Sequence, residues 1–298
     1  MENLLQHEPI MTEQILRDLE CGPEKNFLDL TLGGGGHAIE ILRSSVPKGV
    51  LFGMDRDLAA IERCRKRLEE FQDRTHLYHG EMSEFDQRLS PQVMETIAGV
   101  LIDCGVSSFQ LDTADRGFSF RFEAPLDMRM NQSQELTALD VLSQTPEDEL
   151  ANLIYIYGQE RYSRRIAKSI KRSLAIGALQ TTTDLADLIY ETYPSAARRQ
   201  KIHPATRSFQ AIRMRVNDEM GQIEKTLQKL IQICPQACRI AVLSFHSIED
   251  RLIKTIFRKA KQDRSVRWVH PKVLVPSREE CKRNPRARSA KLRVVEVL

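Results

Sequence analysis

No apolar run in the chain approaches the roughly 18 residues a membrane-spanning helix needs, so a spanning protein is not expected. A basic segment followed by an apolar leader is also missing, and secretion is not expected. The six cysteines (Cys21, Cys64, Cys104, Cys234, Cys238, Cys281) have no paired spacing. A chain of 298 residues can bury a large core without disulfide staples, which points to reduced thiols and a cytoplasmic setting. Cys234 and Cys238 flank Pro235, but no second ligand pair stands at metal spacing, and no metal site is expected. There is no internal repeat and no low-complexity tract. With 29% charged and 41% hydrophobic residues, the composition is that of an ordinary soluble globular protein.

The most informative segment is Asp29-Leu-Thr-Leu-Gly-Gly-Gly-Gly-His37, which follows the apolar run Asn26-Phe-Leu. It reads as a buried strand that breaks into a glycine loop and opens a helix at Ala38. Four consecutive glycines have little value in a core; they are useful where the backbone turns sharply and approaches a ligand. A second strand, Gly49-Val-Leu-Phe-Gly-Met-Asp55, ends in an acid suited to a pair of ribose hydroxyls. This order is the arrangement of nucleotide-type sites on open α/β sheets.

Alternation of strands and helices implies a parallel sheet with right-handed crossovers. Strands are expected at 28–32, 50–54, 75–79 and 97–103, with helices at 38–43 and 58–71. The rhythm breaks from about Leu111 to His203, where helices are expected at 138–157, 161–174 and 183–193. Thr145-Pro-Glu-Asp-Glu149 is a helix start, with an N-cap, proline at the first position and early acids. A long helix over 207–234, a strand at 239–245, a helix at 248–261 and a closing pair of strands at 266–275 and 292–298 complete the reading. Residues 1–110 and 204–298 then form two parts of one α/β core, and 111–203 a helical insertion.

The net charge of +3 hides an asymmetry. From Arg258 to the end, thirteen basic residues face four acidic ones, a net +9. A second cluster, Arg161, Arg164, Arg165, Lys168, Lys171 and Arg172, recurs at helical spacing beside apolar Ile166 and Ile170, and continues at Arg198-Arg199-Gln-Lys201 and Arg207. A single charged helix face is commonly just solvated. The two clusters together point to a polyanion, with Arg161, Arg164, Arg165, Lys168, Arg207, Arg286 and Arg288 as candidate nucleic-acid contacts. The insertion and the basic tail are expected to flank the mouth of the ligand site.

The sheet and loop could hold NAD or S-adenosylmethionine. Asp29 and Asp103, at two strand ends, would repel a pyrophosphate and suit a sulfonium and an ammonium, so a methyl donor is favoured. The chain resembles the ribosomal RNA small subunit methyltransferase H family, also called MraW, over nearly its whole length. The motifs that carry the likeness include Gly35-Gly-His37, Met54-Asp-Arg-Asp57, Leu101-Ile-Asp-Cys-Gly-Val-Ser-Ser108, Asp115-Arg-Gly-Phe-Ser-Phe120, Pro125-Leu-Asp-Met-Arg-Met130, Tyr157-Gly-Gln-Glu-Arg161, His203-Pro-Ala-Thr-Arg-Ser-Phe-Gln210, Ser244-Phe-His-Ser-Ile-Glu-Asp-Arg251 and Asn284-Pro-Arg-Ala-Arg-Ser289. The resemblance implies a class I S-adenosylmethionine-dependent methyltransferase sheet of Rossmann-like type, interrupted by a helical domain. It also implies N4-methylation of a cytidine in the 16S ribosomal RNA of the small ribosomal subunit. By the same resemblance Gly35, Gly36, His37, Asp55, Asp103 and Gln110 match donor contacts, and Met82 stands where the family commonly has Phe.

Amino-methylases often carry a D/N-P-P-Y/F loop after the fourth strand to accept from the target amine; Asp103-Cys-Gly-Val-Ser-Ser108 occupies that place here. Asp103 is one candidate for the acceptor and Asp127, from the insertion, is a second; the sequence does not choose. Cys104 invites a carbon-5 mechanism, but it neighbours Asp103 on a strand end, where the two side chains should diverge. The role of His246 is open. Rival readings are a non-catalytic RNA-binding factor, which the intact loop and acids oppose, and a methylase of protein or small molecules, which the basic clusters oppose.

Overall fold

The computed structural model describes residues 9–198 and 202–298. The chain forms two compact units, one built from the chain up to Gly105 together with Met220–Leu298, the other from Val106–Glu219.

The first unit is built on one seven-stranded sheet: β1 (Asn26–Asp29), β2 (Leu51–Asp55), β3 (Thr75–His79), β4 (Ile97–Asp103), β5 (Arg239–Ser244), β6 (Val266–Trp268) and β7 (Lys291–Val297). Their order is β3-β2-β1-β4-β5-β7-β6. The first five are parallel, and β7 runs antiparallel to both β5 and β6. Successive side chains of a strand point to opposite faces, and both faces are buried. Leu28, Val100, Ile102, Ile240 and Val242 pack into one apolar cluster, while Phe27, Leu101, Ala241 and Leu243 pack into another. Each such side chain contributes roughly 1.5–3 kcal/mol by leaving water. These two-sided apolar runs make the strands readable in the sequence, although β1 covers Asn26–Asp29 where 28–32 is expected.

Strand order reverses between β1 and β4, since β2 and β3 lie to one side and β5 to the other. The pairs Asp29↔Leu101, Asp55↔His79 and Asp103↔Leu243 set the carboxyl ends of the strands near one level. Open α/β sheets bind ligands at this kind of switch point, outside the carboxyl ends of the strands. The α/β sheet with an inserted helical unit is the expected fold class.

Several expected elements are corrected. The helix expected over 138–157 is two, Ala138–Gln144 and Glu147–Gly158, separated at Thr145-Pro146. Thr137 and Asp140 form a capping box for the first; Glu147, Asp148 and Glu149 fill the first turn of the second. The helix expected over 207–234 is also two, Ala205–Val216 and Glu219–Ile233. Asn217 breaks it: its side chain donates to the Met128 and Arg213 carbonyls and accepts from the Met130 N–H, and Asp218 takes a positive φ of 45°. The strand expected over 266–275 ends at Trp268; the Val269 N–H still reaches the Val294 carbonyl (3.1 Å), and Leu274 pairs with Leu292. Pro271 lies between them and has no N–H to offer. The helix Thr12–Asp18 was not anticipated.

The second unit is helical. Its core joins Leu150, Ile154, Ile166, Ile170, Leu185 and Ile189 to Phe209, Ile212 and Val216. Gln110 and the helix Ala205–Val216 therefore belong to the helical unit, outside the boundaries 111–203 read from the sequence. What moves the second boundary is the apolar face of that helix, which packs into this core.

Candidate functional site

The glycine loop is held from three directions. The Gly33 N–H donates to Asp55 Oδ2 (2.8 Å), Arg67 donates to the Gly34 carbonyl (2.7 Å), and the Gly35 N–H returns to the Leu32 carbonyl (2.7 Å). Gly35 caps the helix Gly36–Ser44 with φ at 73°, a region L side chains rarely adopt, and a Cβ there would stand 3.1 Å from Cys64 Sγ. A Cβ on Gly36 would meet Pro9 at 3.0 Å. The loop is thus pinned close to β2 and to the start of a helix, with no side chain of its own in the way.

Three carboxylates stand at the carboxyl ends of β1, β2 and β4. Asp55 accepts from the Gly33 N–H and from the Asp57 N–H (2.8 Å each), and Asp57 in turn caps the helix Leu58–Arg67. Burial raises the Asp55 carboxyl above its ordinary value, against the two backbone N–H groups that lower it. Asp29 is 1% exposed and accepts from the Thr31 N–H (3.0 Å). Burial pushes its carboxyl from 3.8 up to about 7; the Thr31 N–H and His37 oppose this, while Asp103 and Asp55 add to it. Thr31 also links two strand ends, because its Oγ1 accepts the Asp103 N–H at 2.6 Å.

His37 lies buried in the first turn of the helix Gly36–Ser44, with Nε2 3.6 Å from Asp103 Oδ2. Neither of its ring nitrogens has a hydrogen-bond partner, and Asp103 Oδ1 is likewise buried and unpartnered. Desolvated polar groups of this kind are costly and uncommon in a finished core, and mark places where a ligand completes the bonding. Three acids against one imidazole suit a ligand with positive charge and hydroxyl donors, and oppose a pyrophosphate. S-adenosylmethionine is a ligand of this kind, with a sulfonium, an ammonium, a ribose diol and no phosphate.

The other sequence-predicted residues are placed as follows. Met82 is half-buried beyond β3 and packs on the sheet core. Beside it, Arg56 and Glu81 form an ion pair, with Arg56 Nε donating at 2.8 Å; the sequence reading overlooked this pair. Gln110 is buried in the helical unit, where its Oε1 accepts from the Ser107 N–H (3.0 Å) in the capping box of Ser108–Asp112. Asp127, also in the helical unit, is forked onto Arg129, with Nε at 3.0 Å and Nη2 at 2.8 Å, and it takes the Arg129 N–H at 2.8 Å as well. That pairing raises the Arg129 guanidinium above its ordinary value. Cys104 is 6% exposed and packs in the sheet core. His246 caps the helix Ser247–Gln262 and is held against the buried Glu249.

On the helix Ser163–Ala175, Arg164, Arg165 and Lys168 are exposed, opposite buried Ile166, Ala167 and Ile170. Lys171 is set apart from this stripe: it donates to the Leu142 and Ser143 carbonyls (2.7 and 2.8 Å), capping the end of the neighbouring helix. Arg161 and Arg207 are exposed in the helical unit, and Arg286 and Arg288 in the sheet unit. Arg199 and Lys201 lie outside the described residues. Among the described residues, no helix is long and apolar enough to cross a membrane.

Comparison with known proteins gives one answer. Residues 4–298 match the model of the MraW methylase family. The chain is 42% identical over 310 residues to the ribosomal RNA small subunit methyltransferase H of Syntrophotalea carbinolica, covering 99% of each chain. It is 44% identical to the protein of the same name from Picosynechococcus sp., covering 98% of this chain and 96% of that one. A third, from Persephonella marina, is 39% identical over 98% and 99%. The chain belongs to the MraW methylase family.

Proposed function

We propose that this protein methylates the N4 amine of a cytidine in the 16S ribosomal RNA of the small ribosomal subunit, in its decoding region, within the cytoplasm. The names of its relatives support the RNA, and the observation that carries the chemistry is the buried, unpartnered Oδ1 of Asp103 at the end of β4. S-adenosylmethionine, when bound, supplies a methyl group activated by its sulfonium. The exocyclic amine of cytosine is a weak nucleophile, because its lone pair is delocalised into the ring. It needs an acceptor that orients its N–H and takes the proton shed once the new N–C bond has formed. Asp103 Oδ1 is that acceptor. His37, 3.6 Å from the other oxygen, steadies the carboxylate. Asp127 serves a different purpose: its oxygens are committed to Arg129, and the pair holds the loop through which Arg129 reaches the Gln134 carbonyl (2.7 Å). The carbon-5 route requires an accessible thiolate, and Cys104 is packed in the core. The exposed basic residues of both units supply phosphate contacts.

The test is nucleoside mass analysis of 16S ribosomal RNA from cells with and without the gene. The reading requires N4-methylcytidine to be lost with the gene and restored by the wild-type chain; unchanged N4-methylcytidine would contradict it.

A further inference from the structure

In the helical unit, two sequence motifs that the donor site does not use meet in a stack of rings. Phe120 ends one motif and His203 opens the other; their ring centroids are 4.8 Å apart. His203 also lies nearly parallel to Tyr190, at 5.8 Å and 18°. The Arg198 guanidinium sits 5.2 Å over the Tyr190 ring, and is fixed there by the carbonyls of Tyr193 (3.0 Å) and Glu191 (2.8 Å). Phe209 meets Phe120 edge-on at 5.0 Å and roots the stack in the core.

Core packing accounts for Phe209 and in part for Phe120. It does not account for Tyr190, which is 39% exposed, or for His203, which is also exposed. Ordering such rings at the surface costs side-chain entropy and buries little apolar area. The surroundings are cationic. Exposed Arg161 packs over Tyr162 at 4.6 Å, Tyr162 lies edge-on to Tyr193, and Arg161 and Arg207 both bring positive charge to the Tyr193 hydroxyl. One acid at this place, Glu160, is buried and taken up by the Tyr193 hydroxyl and the Tyr162 N–H, while Asp187 and Glu191, on the helix that carries Tyr190, are exposed. Flat exposed rings interleaved with guanidinium groups are what an unpaired nucleotide requires: a surface for its base and charge for its phosphate. An acidic peptide would use the charge and leave the rings without purpose.

We infer that Tyr190, His203 and Arg198 form a stacking platform for an unpaired base of the RNA substrate. This rests on the RNA-methylation reading and adds a defined contact to it. The test uses the full chain and a fluorescein-labelled single-stranded RNA. The double variant Tyr190→Leu with His203→Leu should bind it about tenfold more weakly. The salt slope should stay unchanged, because neither side chain neutralises a phosphate. Tyr190→Phe, which keeps the ring, should bind as wild type does. With the wild-type chain, photocrosslinking to RNA carrying 4-thiouridine should label a peptide that contains Tyr190 or His203, a result independent of how the variants fold. Unchanged affinity of the double variant, or crosslinks confined to other segments, would overturn the platform while leaving RNA methylation standing. Failure of the wild-type chain to bind any RNA while it still binds S-adenosylmethionine would overturn both.

Discussion

Replacing Asp29 by Asn should stabilise the donor-free protein, and the gain should grow with pH. Asp29 is buried, and its carboxyl is held near 7 in the fold against 3.8 ordinarily. Between these two values the folded chain holds a proton that the unfolded chain has lost. Folding stability therefore falls as pH rises through this window, and the loss is complete above pH 7. The full penalty is on the order of 4 kcal/mol, of which roughly 2–3 kcal/mol develops between pH 5 and pH 8. Asn keeps the acceptor for the Thr31 N–H and carries no charge, so it resembles the protonated acid at every pH. Thermal unfolding of both proteins at pH 5 and pH 8 tests this. The melting temperature of Asp29→Asn should exceed that of wild type at both values, and the gap should widen by several degrees at pH 8, since about 1 kcal/mol moves a domain of this size by roughly 2–4 °C. A gap that stays constant or narrows would show that Asp29 is ionised in the fold, and the electrostatic account of the site would fail. A cationic donor should reverse the effect, so donor binding to wild type near pH 6 should release protons, visible as calorimetric heats that depend on the buffer.

Three further outcomes are expected. Asp55→Ala should weaken S-adenosylmethionine by roughly tenfold to hundredfold in calorimetric titration, through loss of a charge-assisted ribose contact of about 1.5–3 kcal/mol, and tight NAD binding by the wild-type chain would contradict the donor assignment. Gly35→Ala should lower the melting temperature, because φ at 73° and the 3.1 Å approach to Cys64 Sγ strain any Cβ by about 1–2 kcal/mol. Neutralising Arg164, Arg165 and Lys168 together should weaken RNA binding and flatten its salt dependence by roughly 0.7–0.9 log units per log unit of salt for each phosphate contact removed, with S-adenosylmethionine affinity intact; an unchanged slope would reduce the stripe to a solvated face.

What could be read from the sequence follows from where the decisive interactions are local. Leu28, Val100 and Val242 announce strands because both faces of the sheet are buried, so their apolar runs are nearly unbroken. Asp55 and Asp103 were legible because each ends such a run just before a loop. Ser107-x-x-Gln110 carries the spacing of a capping box, and the structure forms it. The break at Asn217 was hidden, because it depends on Met128 and Met130, 87 to 89 residues away along the chain. The role of Thr31 was hidden for the same reason: its bond to the Asp103 N–H spans 72 residues. Lys171 could not be told from Arg164 or Lys168 by charge and spacing; only the neighbouring helix end, which its ammonium reaches, separates it from the exposed stripe.

Amine methylation with Asp103 as the acceptor is decided by one methyl-transfer assay on small ribosomal subunits that lack the modification, with the products resolved by nucleoside mass analysis. Wild type and Cys104→Ser should both yield N4-methylcytidine at similar rates, and Asp103→Ala should lose nearly all activity. Formation of 5-methylcytidine, abolished in Cys104→Ser and retained in Asp103→Ala, would contradict the account.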